Sequence, residues 1–196
     1  MNPALLIIDM VKDNLDIKNR FPITPLAREI IDPINRIKRL FKARGWPVVF
    51  STDAFRQTDF IFSGRMKPHA LEGTKGAEVI DELGPEEGDL WLPKPRFSAF
   101  FRTTLDQWLK ERKVTLCAVA GITTNFCVLT TAMDAVCSDF ETVILEDCTA
   151  AVTEEIHRKS LDLYRRTAIF PLLRVLTSGE LISELSSSSP ARPSSV

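Results

Sequence analysis

Three residues of reactive type follow apolar segments of strand length in this sequence: Asp9, Lys94 and Cys127. Cys127 lies where the apolar, β-branched run 114–120 passes through Gly121 into small and apolar side chains at helical spacing. At the beginning of a helix a thiol meets unpaired backbone N–H groups and the positive end of the helix dipole, which favour the thiolate. Cys127 is therefore a candidate nucleophile, although a cysteine that packs as a small apolar side chain gives the same pattern.

Asp9 and Lys94 each stand at the end of a predicted strand. Asp9 closes the apolar run 4–8, where a carboxylate is costly unless it is paired or put to use. The alternative is that Asp9 caps a helix or forms a turn. Lys94 stands between Pro93 and Pro95, which restrict the backbone to extended shapes and hold the lysine at the strand end. A solvated surface lysine is the ordinary alternative.

The elements that must position these residues alternate between strands and helices. Strands are predicted at 4–8, 47–51, 89–92, 114–120, 141–146 and 168–170, and helices at 24–44, 77–83, 104–113, from about 125, 153–166 and 178–185. This alternation implies a parallel sheet covered on both faces, with ligands bound beyond the carboxyl ends of the strands. If the first and fourth strands are neighbours, Asp9 and Cys127 face each other there, and Lys94 joins them from the third.

Composition and charge exclude several classes of protein. A formal net charge of -1 gives no support for binding nucleic acid or an anionic membrane, and no apolar run is long enough to span a membrane. The N-terminus lacks the pattern of a signal peptide, and the four cysteines form no CxxC pair, which favours reduced thiols in a cytoplasmic protein. We expect one domain over residues 1–186 and a disordered tail rich in Ser and Pro over 187–196.

Four short motifs resemble those of the isochorismatase-like cysteine hydrolase family, which includes nicotinamidases, carbamoylsarcosine and ureidoacrylate amidohydrolases and isochorismatases. The motifs are IIDM at 7–10, KPRFSAF at 94–100, GITTNFCV at 121–128 and EDCTA at 146–150, and the resemblance extends over residues 4–177. It implies a Rossmann-like, three-layer α/β/α sandwich with a mainly parallel six-stranded sheet. It also implies that Asp9, Lys94 and Cys127 form the catalytic triad. A cis peptide between Ile122 and Thr123 would direct the Thr123 N–H, beside that of Cys127, toward an oxyanion.

The sequence departs from the family pattern where nicotinamidases bind a metal. Those relatives use an Asp-x-His pair and a further histidine, whereas this chain has Asp53-Ala54-Phe55 and retains His69. Because phenylalanine cannot ligate, we expect no cofactor; a divalent metal such as zinc would have only Asp53 and His69.

The resemblance and the retained thiol favour a cofactor-free amidohydrolase that cleaves a C–N bond of a small amide or ureide through a Cys127 thioester. Its expected partners are a small-molecule substrate and further copies of itself, as a homo-oligomer of two or four chains. Four aromatic residues could line the pocket, with core packing as the alternative role: Phe55, Trp91, Phe97 and Phe100.

Three alternatives stay open at this stage. One is a metal-assisted nicotinamidase, and another is a non-catalytic family member that serves as an oligomeric binding or scaffold unit. The third is a papain-like pair of Cys127 and His157, which is disfavoured because the helical pattern predicts His157 on a solvent-facing surface.

Overall fold

The computed structural model describes residues 1–19 and 21–187. Within them, six strands form a single sheet in the order β3-β2-β1-β4-β5-β6, and all neighbouring strands are parallel. The predicted sheet is thereby confirmed, with β1 and β4 adjacent at its centre. The strands are β1 (Pro3–Ile8), β2 (Val48–Asp53), β3 (Leu90–Lys94), β4 (Leu116–Ile122), β5 (Glu141–Ala150) and β6 (Leu173–Leu176).

Helices cover both faces of this sheet. A short helix α1 (Lys12–Leu15) follows β1, in a segment for which the sequence predicted neither helix nor strand. Helices α2, α3 and α7 pack on one face and α4, α5 and α6 on the other. Their bounds are α2 (Thr24–Glu29), α3 (Ile31–Ala43), α4 (Leu105–Glu111), α5 (Leu129–Cys137), α6 (Glu154–Tyr164) and α7 (Ser178–Ser187).

The central strand β1 shows why the sheet lies in the interior. Leu5 and Ile7 belong to the apolar cluster under α3 and α7, whereas Leu6 and Ile8 belong to the cluster under α4 and α5. Successive side chains of a strand point to opposite faces, so a strand that is covered twice must be apolar throughout. All six residues of β1 are buried.

The single helix predicted over residues 24–44 is two helices that meet at Ile30. Pro33 is the third residue of α3, a position whose N–H has no partner inside the helix, so the missing donor costs nothing there. Pro33 thus marks the first turn of a helix and does not kink one.

Two predicted elements are wrong. Residues 77–83 contain only short 3-10 turns, because Val79 pairs with Val11 and the Ile80 N–H donates to the Met10 carbonyl. Residues 168–170 form a turn before the cis Phe170–Pro171 bond, and β6 begins only at Leu173. The first error thus arises from backbone bonds to a distant segment, whereas in the second the Phe170 N–H donates locally to the Thr167 carbonyl at 3.2 Å.

The predicted boundary between domain and tail, at residue 186, falls inside the last turn of α7. Ser187 closes α7, and the remainder of the predicted tail, 188–196, lies outside the described residues. Among the described helices, none has the length and apolar character needed to cross a membrane.

Candidate active site

The carboxyl ends of four neighbouring strands bring the candidate residues together. Asp9 follows β1 directly, Asp53 ends β2 and Lys94 ends β3. Cys127 lies in a π-helical turn, Thr124–Val128, between β4 and α5. One oxygen of each of the two carboxylates and the Cys127 sulfur lie within 4.8 Å of one another. The sheet therefore places two acids and a thiol within one small volume.

Lys94 supplies the positive charge of this group. Its ammonium is fully buried, lies 2.9 Å from Asp9 Oδ2 and makes an even closer ion pair with Asp53 Oδ1. The Asp53 N–H also donates to Asp9 Oδ1 at 2.7 Å. A buried charge is tolerated only when it is paired, and here one cation serves two acids. Lys94 is thus a buried ion-pair partner and not the solvated surface lysine of the alternative.

The backbone at Asp9 is in the left-handed region, with φ of 53°. Asp and Asn enter this region more readily than other non-glycine residues because their short polar side chains can bond locally. The Asn14 side-chain amide supports the same residue by donating to the Asp9 carbonyl at 3.1 Å. The turn after β1 is therefore fixed by both residue type and hydrogen bonding.

Burial dominates the electrostatics of the two acids. It raises the pKa of Asp9, an effect that the nearby ammonium of Lys94 opposes but does not cancel. Burial and the neighbouring Asp9 charge raise the pKa of Asp53 to about 7. For Lys94, burial acts to lower the pKa, but the charges of Asp53 and Asp9 outweigh it and raise the pKa above the ordinary value. The lysine stays protonated while the acids are unusually basic.

The thiol of Cys127 differs from the thiolate expected at a helix beginning. Burial, and then the charge of Asp9, raise its pKa well above the usual range, and Lys94 offsets this only in part. The resting group is therefore a neutral thiol. A nearby base must remove its proton before it can act as a nucleophile.

The backbone beside the thiol has an unusual conformation. The Ile122–Thr123 peptide bond is cis, at the position indicated by the family resemblance. Within the turn, the N–H groups of Phe126 and Val128 donate to the Thr123 carbonyl at 3.0 and 3.2 Å. Ile122, Thr123 and Cys127 all line one cavity, so the peptide groups around the thiol border the space available to a ligand.

That cavity has a volume of about 830 Å³, within the range typical of small-molecule sites. Of the four aromatic residues predicted to line it, Phe55 and Phe97 do so. Phe100 instead lies against Phe140 in the core, with ring centroids 6.2 Å apart. Trp91 is 52% exposed and donates from Nε1 to the Thr52 hydroxyl at 2.9 Å, away from the cavity.

Sequence reasoning missed two further aromatic residues in this wall, Phe21 and Phe126. Phe126 stands directly before the nucleophile candidate and could have been suspected from the NFC motif. No local signal marks Phe21, which comes from the irregular segment before α2. Arg65 and Lys67 line the same cavity from an exposed loop, so its rim is positively charged.

The two ligands that the sequence predicted for a metal, Asp53 and His69, make a poor ligand set, although ligand atoms of Asp9, Asp53 and Cys127 lie close enough together to hold an ion. Phe55 is buried where a second imidazole would be needed, and its ring centroid lies 5.5 Å from that of His69. His69 donates from Nδ1 to the Lys67 carbonyl at 2.8 Å, which leaves only Nε2 free to ligate. The Asp53 carboxylate already pairs with the Lys94 ammonium, which a metal cation would have to displace. Asp53 is therefore part of the ion-pair group, a role that the sequence did not indicate.

His157 is placed differently from its prediction. It is half-buried, and a hydrogen bond of 2.8 Å joins its Nδ1 to the Thr124 hydroxyl at the beginning of the π-helical turn. It lines a separate cavity with Glu146 and Glu154. A papain-like pairing of His157 with Cys127 is thus not present.

The fold is thus an α/β sandwich whose parallel sheet carries a thiol, two acids and an ammonium at its carboxyl edge. The chain belongs to the isochorismatase family, since the family model described as an isochorismatase domain matches residues 3–174.

Individual relatives agree with this assignment. A protein of Arabidopsis thaliana named a probable inactive nicotinamidase is 34% identical over 172 residues, covering 82% of this chain and 86% of its own. The crystal structure of N-carbamoylsarcosine amidase from Thermoplasma acidophilum is 30% identical with a TM-score of 0.79, covering 91% of this chain and 97% of its own. The pyrazinamidase of Pyrococcus horikoshii, solved in complex with zinc, shares the fold at 24% identity and a TM-score of 0.79, covering 90% and 99%. Hydrolases of amides, including one that holds zinc, therefore share this fold.

Proposed function

We propose that this protein is a metal-independent cysteine amidohydrolase that cleaves a C–N bond of a small amide or ureide. The observation that carries the proposal is the grouping of Asp9, Lys94 and Cys127 beside a cavity large enough for such a molecule. The family assignment and the amidase among its relatives support the same chemistry.

In the proposed reaction Asp9 accepts the proton of the Cys127 thiol, and the thiolate attacks the substrate carbonyl. The raised pKa of Asp9 suits this step, because a more basic carboxylate takes a thiol proton more readily. Lys94 stays protonated and stabilises the pair of negative charges that would otherwise repel the developing thiolate.

The tetrahedral oxyanion would accept hydrogen bonds from the backbone N–H groups of Thr123 and Cys127. In other enzymes, donors of this kind are worth about 3–4 kcal/mol each. Collapse of the intermediate breaks the C–N bond, and Asp9 returns its proton to the departing nitrogen. Water then attacks the thioester with Asp9 as base, which releases the acid and restores the thiol.

We infer that the protein forms a homo-oligomer of two or four copies. The loop after β2 carries two exposed apolar residues, Phe60 and Met66, which are 83% and 36% exposed on the single chain. Apolar side chains grouped at a surface are typical of contacts between subunits. Light scattering coupled to size-exclusion chromatography gives the mass directly, and a monomer at micromolar concentration would contradict this inference.

The proposal is tested by ammonia release from a panel of amides and ureides, with nicotinamide included. Cys127→Ala and a sample treated with EDTA are run in parallel. Turnover that is lost in the variant but kept in EDTA supports the thiol mechanism without metal. Turnover that survives in Cys127→Ala contradicts it.

The other readings make different predictions in the same assay. A metal-assisted nicotinamidase would hydrolyse nicotinamide and lose activity in EDTA, although Phe55 argues against its ligand set. A non-catalytic member would turn over nothing, a reading favoured only by the name of the Arabidopsis relative. If no compound is turned over, modification of Cys127 by substrate-like chloroacetamides would indicate a reactive site whose substrate is missing from the panel. An unreactive Cys127 would indicate an inert site.

A further inference from the structure

The π-helical turn that carries Cys127 is hydrogen-bonded to a side chain of α6 that the proposed reaction does not use. Thr124, the first residue of the turn, is fully buried, and its hydroxyl lies 2.8 Å from Nδ1 of His157 on α6. Across the described ranges 1–19 and 21–187, this imidazole is the single hydrogen-bonding partner of that hydroxyl. A buried hydroxyl without a partner is costly, so the bond fixes the position of Thr124.

Thr124 occupies a sensitive place in the turn. It follows Thr123, one of the two proposed oxyanion donors, and precedes Cys127, the other donor and the nucleophile. The Thr123 carbonyl receives the N–H groups of both Phe126 and Val128, so the turn is a compact unit. A shift of Thr124 would therefore displace the thiol and both donor amides together.

His157 is not among the residues that line the cavity beside Cys127. It belongs to a cavity of about 450 Å³ that is lined by the acidic residues Glu29, Glu146 and Glu154, whereas Cys127 lines the larger, aromatic cavity. Thr124 links them, because its hydroxyl is hydrogen-bonded to His157 and it begins the turn that carries Cys127. The imidazole can thus act on the reaction only through the turn.

We propose that His157 is a positioning residue that sets the location of the nucleophile turn through Thr124. Because misplacement of reacting groups by about 1 Å can cost on the order of 100-fold in rate, loss of this bond should lower kcat. Most of the cavity wall, including Phe21, Phe55 and Phe97, comes from outside the turn, so KM should change less than kcat. The effect on kcat rests on the proposed function.

Five single variants isolate the hydrogen bond, three at His157 and two at Thr124. His157→Asn places an amide near the position of Nδ1, whereas His157→Gln is one methylene longer and His157→Leu has no polar group. Thr124→Ser keeps the hydroxyl, and Thr124→Val removes it with little change in volume. We expect kcat to fall about 10- to 100-fold in His157→Leu and Thr124→Val, and by less than threefold in His157→Asn and Thr124→Ser. His157→Gln should resemble His157→Leu.

The double variant Thr124→Val/His157→Leu separates the bond from two independent effects. If the two residues act through one hydrogen bond, the double variant should lose no more than the more impaired single variant. Equal kcat in His157→Leu and the unsubstituted protein would overturn the proposal, as would multiplied losses in the double variant. An asparagine variant as impaired as leucine would also overturn it, because the imidazole would then be needed as an acid or base.

A readout independent of turnover keeps this inference separate from the proposed function. In a Cys137→Ser background, which removes the exposed thiol, iodoacetamide modification of Cys127 is followed by mass spectrometry. We expect modification to become faster in His157→Leu and Thr124→Val, because the thiol moves away from the Asp9 charge that raises its pKa, and to return to the parent rate in His157→Asn. Unchanged rates in both impaired variants would refute the positioning role even if no substrate is found. Circular dichroism checks that each variant is folded.

Discussion

The Lys94 ammonium ion-pairs with the Asp53 carboxylate, and the two residues are register partners at the ends of β3 and β2. Since Asp9 lies 2.9 Å from the same ammonium, one cation is shared by two buried acids. One ammonium cannot neutralise both carboxylates fully, so burial and the Asp9 charge raise the pKa of Asp53 to about 7.

This sharing predicts an unusual dependence of stability on pH. The folded protein keeps a proton on Asp53 up to a pH of about 7, whereas the unfolded chain releases it near the ordinary value of 3.8. Between these values the folded state binds more protons, so the free energy of unfolding should fall as the pH rises. Asp53→Asn removes the titrating group, and its stability relative to the parent should therefore increase from pH 4 to pH 7.

Urea denaturation at several pH values measures this difference. Asp59→Asn is the control, because hydrogen bonding from the Arg56 N–H and pairing with Arg96 lower the pKa of Asp59. Its contribution is complete above the ordinary pKa and disappears only in more acid solution, so its effect should be constant from pH 5 to pH 7. Parallel curves for both variants would contradict the assignment.

The thiol should respond to Asp9 in two opposite ways. The Asp9 charge raises the pKa of Cys127, so Asp9→Asn should lower that pKa and shift alkylation of the thiol to lower pH. The same variant lacks the base of the proposed reaction, and kcat should fall at least 100-fold. The pH dependence of iodoacetamide modification in the Cys137→Ser background measures the first effect. An alkylation profile displaced to higher pH would show that Asp9 promotes thiolate formation in the resting state.

Gly121 should be irreplaceable for a steric reason. A Cβ atom on this residue would lie 2.0 Å from the Ile8 carbonyl oxygen, and its φ is +104°. Gly121→Ala would force β4 away from β1, so we expect the variant to be insoluble or destabilised by more than about 4 kcal/mol. Gly73 also has positive φ, +76°, but open space around it, so Gly73→Ala should cost only about 1–2 kcal/mol. Equal losses of unfolding free energy would mean that backbone conformation alone matters.

Phe55 should be the residue that prevents metal binding. Phe55→His places a second imidazole beside His69 and near Asp53, and zinc affinity measured by calorimetry should rise at least tenfold over the parent protein. Phe55→Leu controls for loss of the buried ring, and Phe55→His/His69→Ala should lose the gain. Tight zinc binding by the parent protein would contradict the misfit of its donors.

Strong local patterns account for what the sequence predicted well. The continuous apolar runs of β1 and β4 required strands covered on both faces, and the Thr153 hydroxyl caps α6 by accepting the Ile156 N–H at 3.2 Å. Asp9, Lys94 and Cys127 could be placed at one edge because parallel strands share a direction. To predict that these three residues lie close together, only the order of the strands in the sheet was needed in addition.

The features that the sequence did not predict depend on contacts between distant segments of the chain. The ion pair of Asp53 with Lys94 depends on the register of β2 against β3, which no local pattern specifies. His69 reaches the cavity because the neighbouring Ala70 N–H donates to the Asp13 carboxylate at 2.8 Å, far away in the sequence. Helical periodicity predicted His157 as exposed because it cannot reveal that another turn packs against that side of α6.

The register between β2 and β3 also makes activity a sensitive report of correct folding. A slip of one residue along β3 would place Pro93 or Pro95 opposite Asp53 and turn the lysine side chain to the other face of the sheet. Two buried acids would then have no counterion, and the nucleophile would have no electrostatic support. Such a misregistered form would be penalised in free energy as well as inactive, so the ionic group selects the native strand alignment as the sheet assembles.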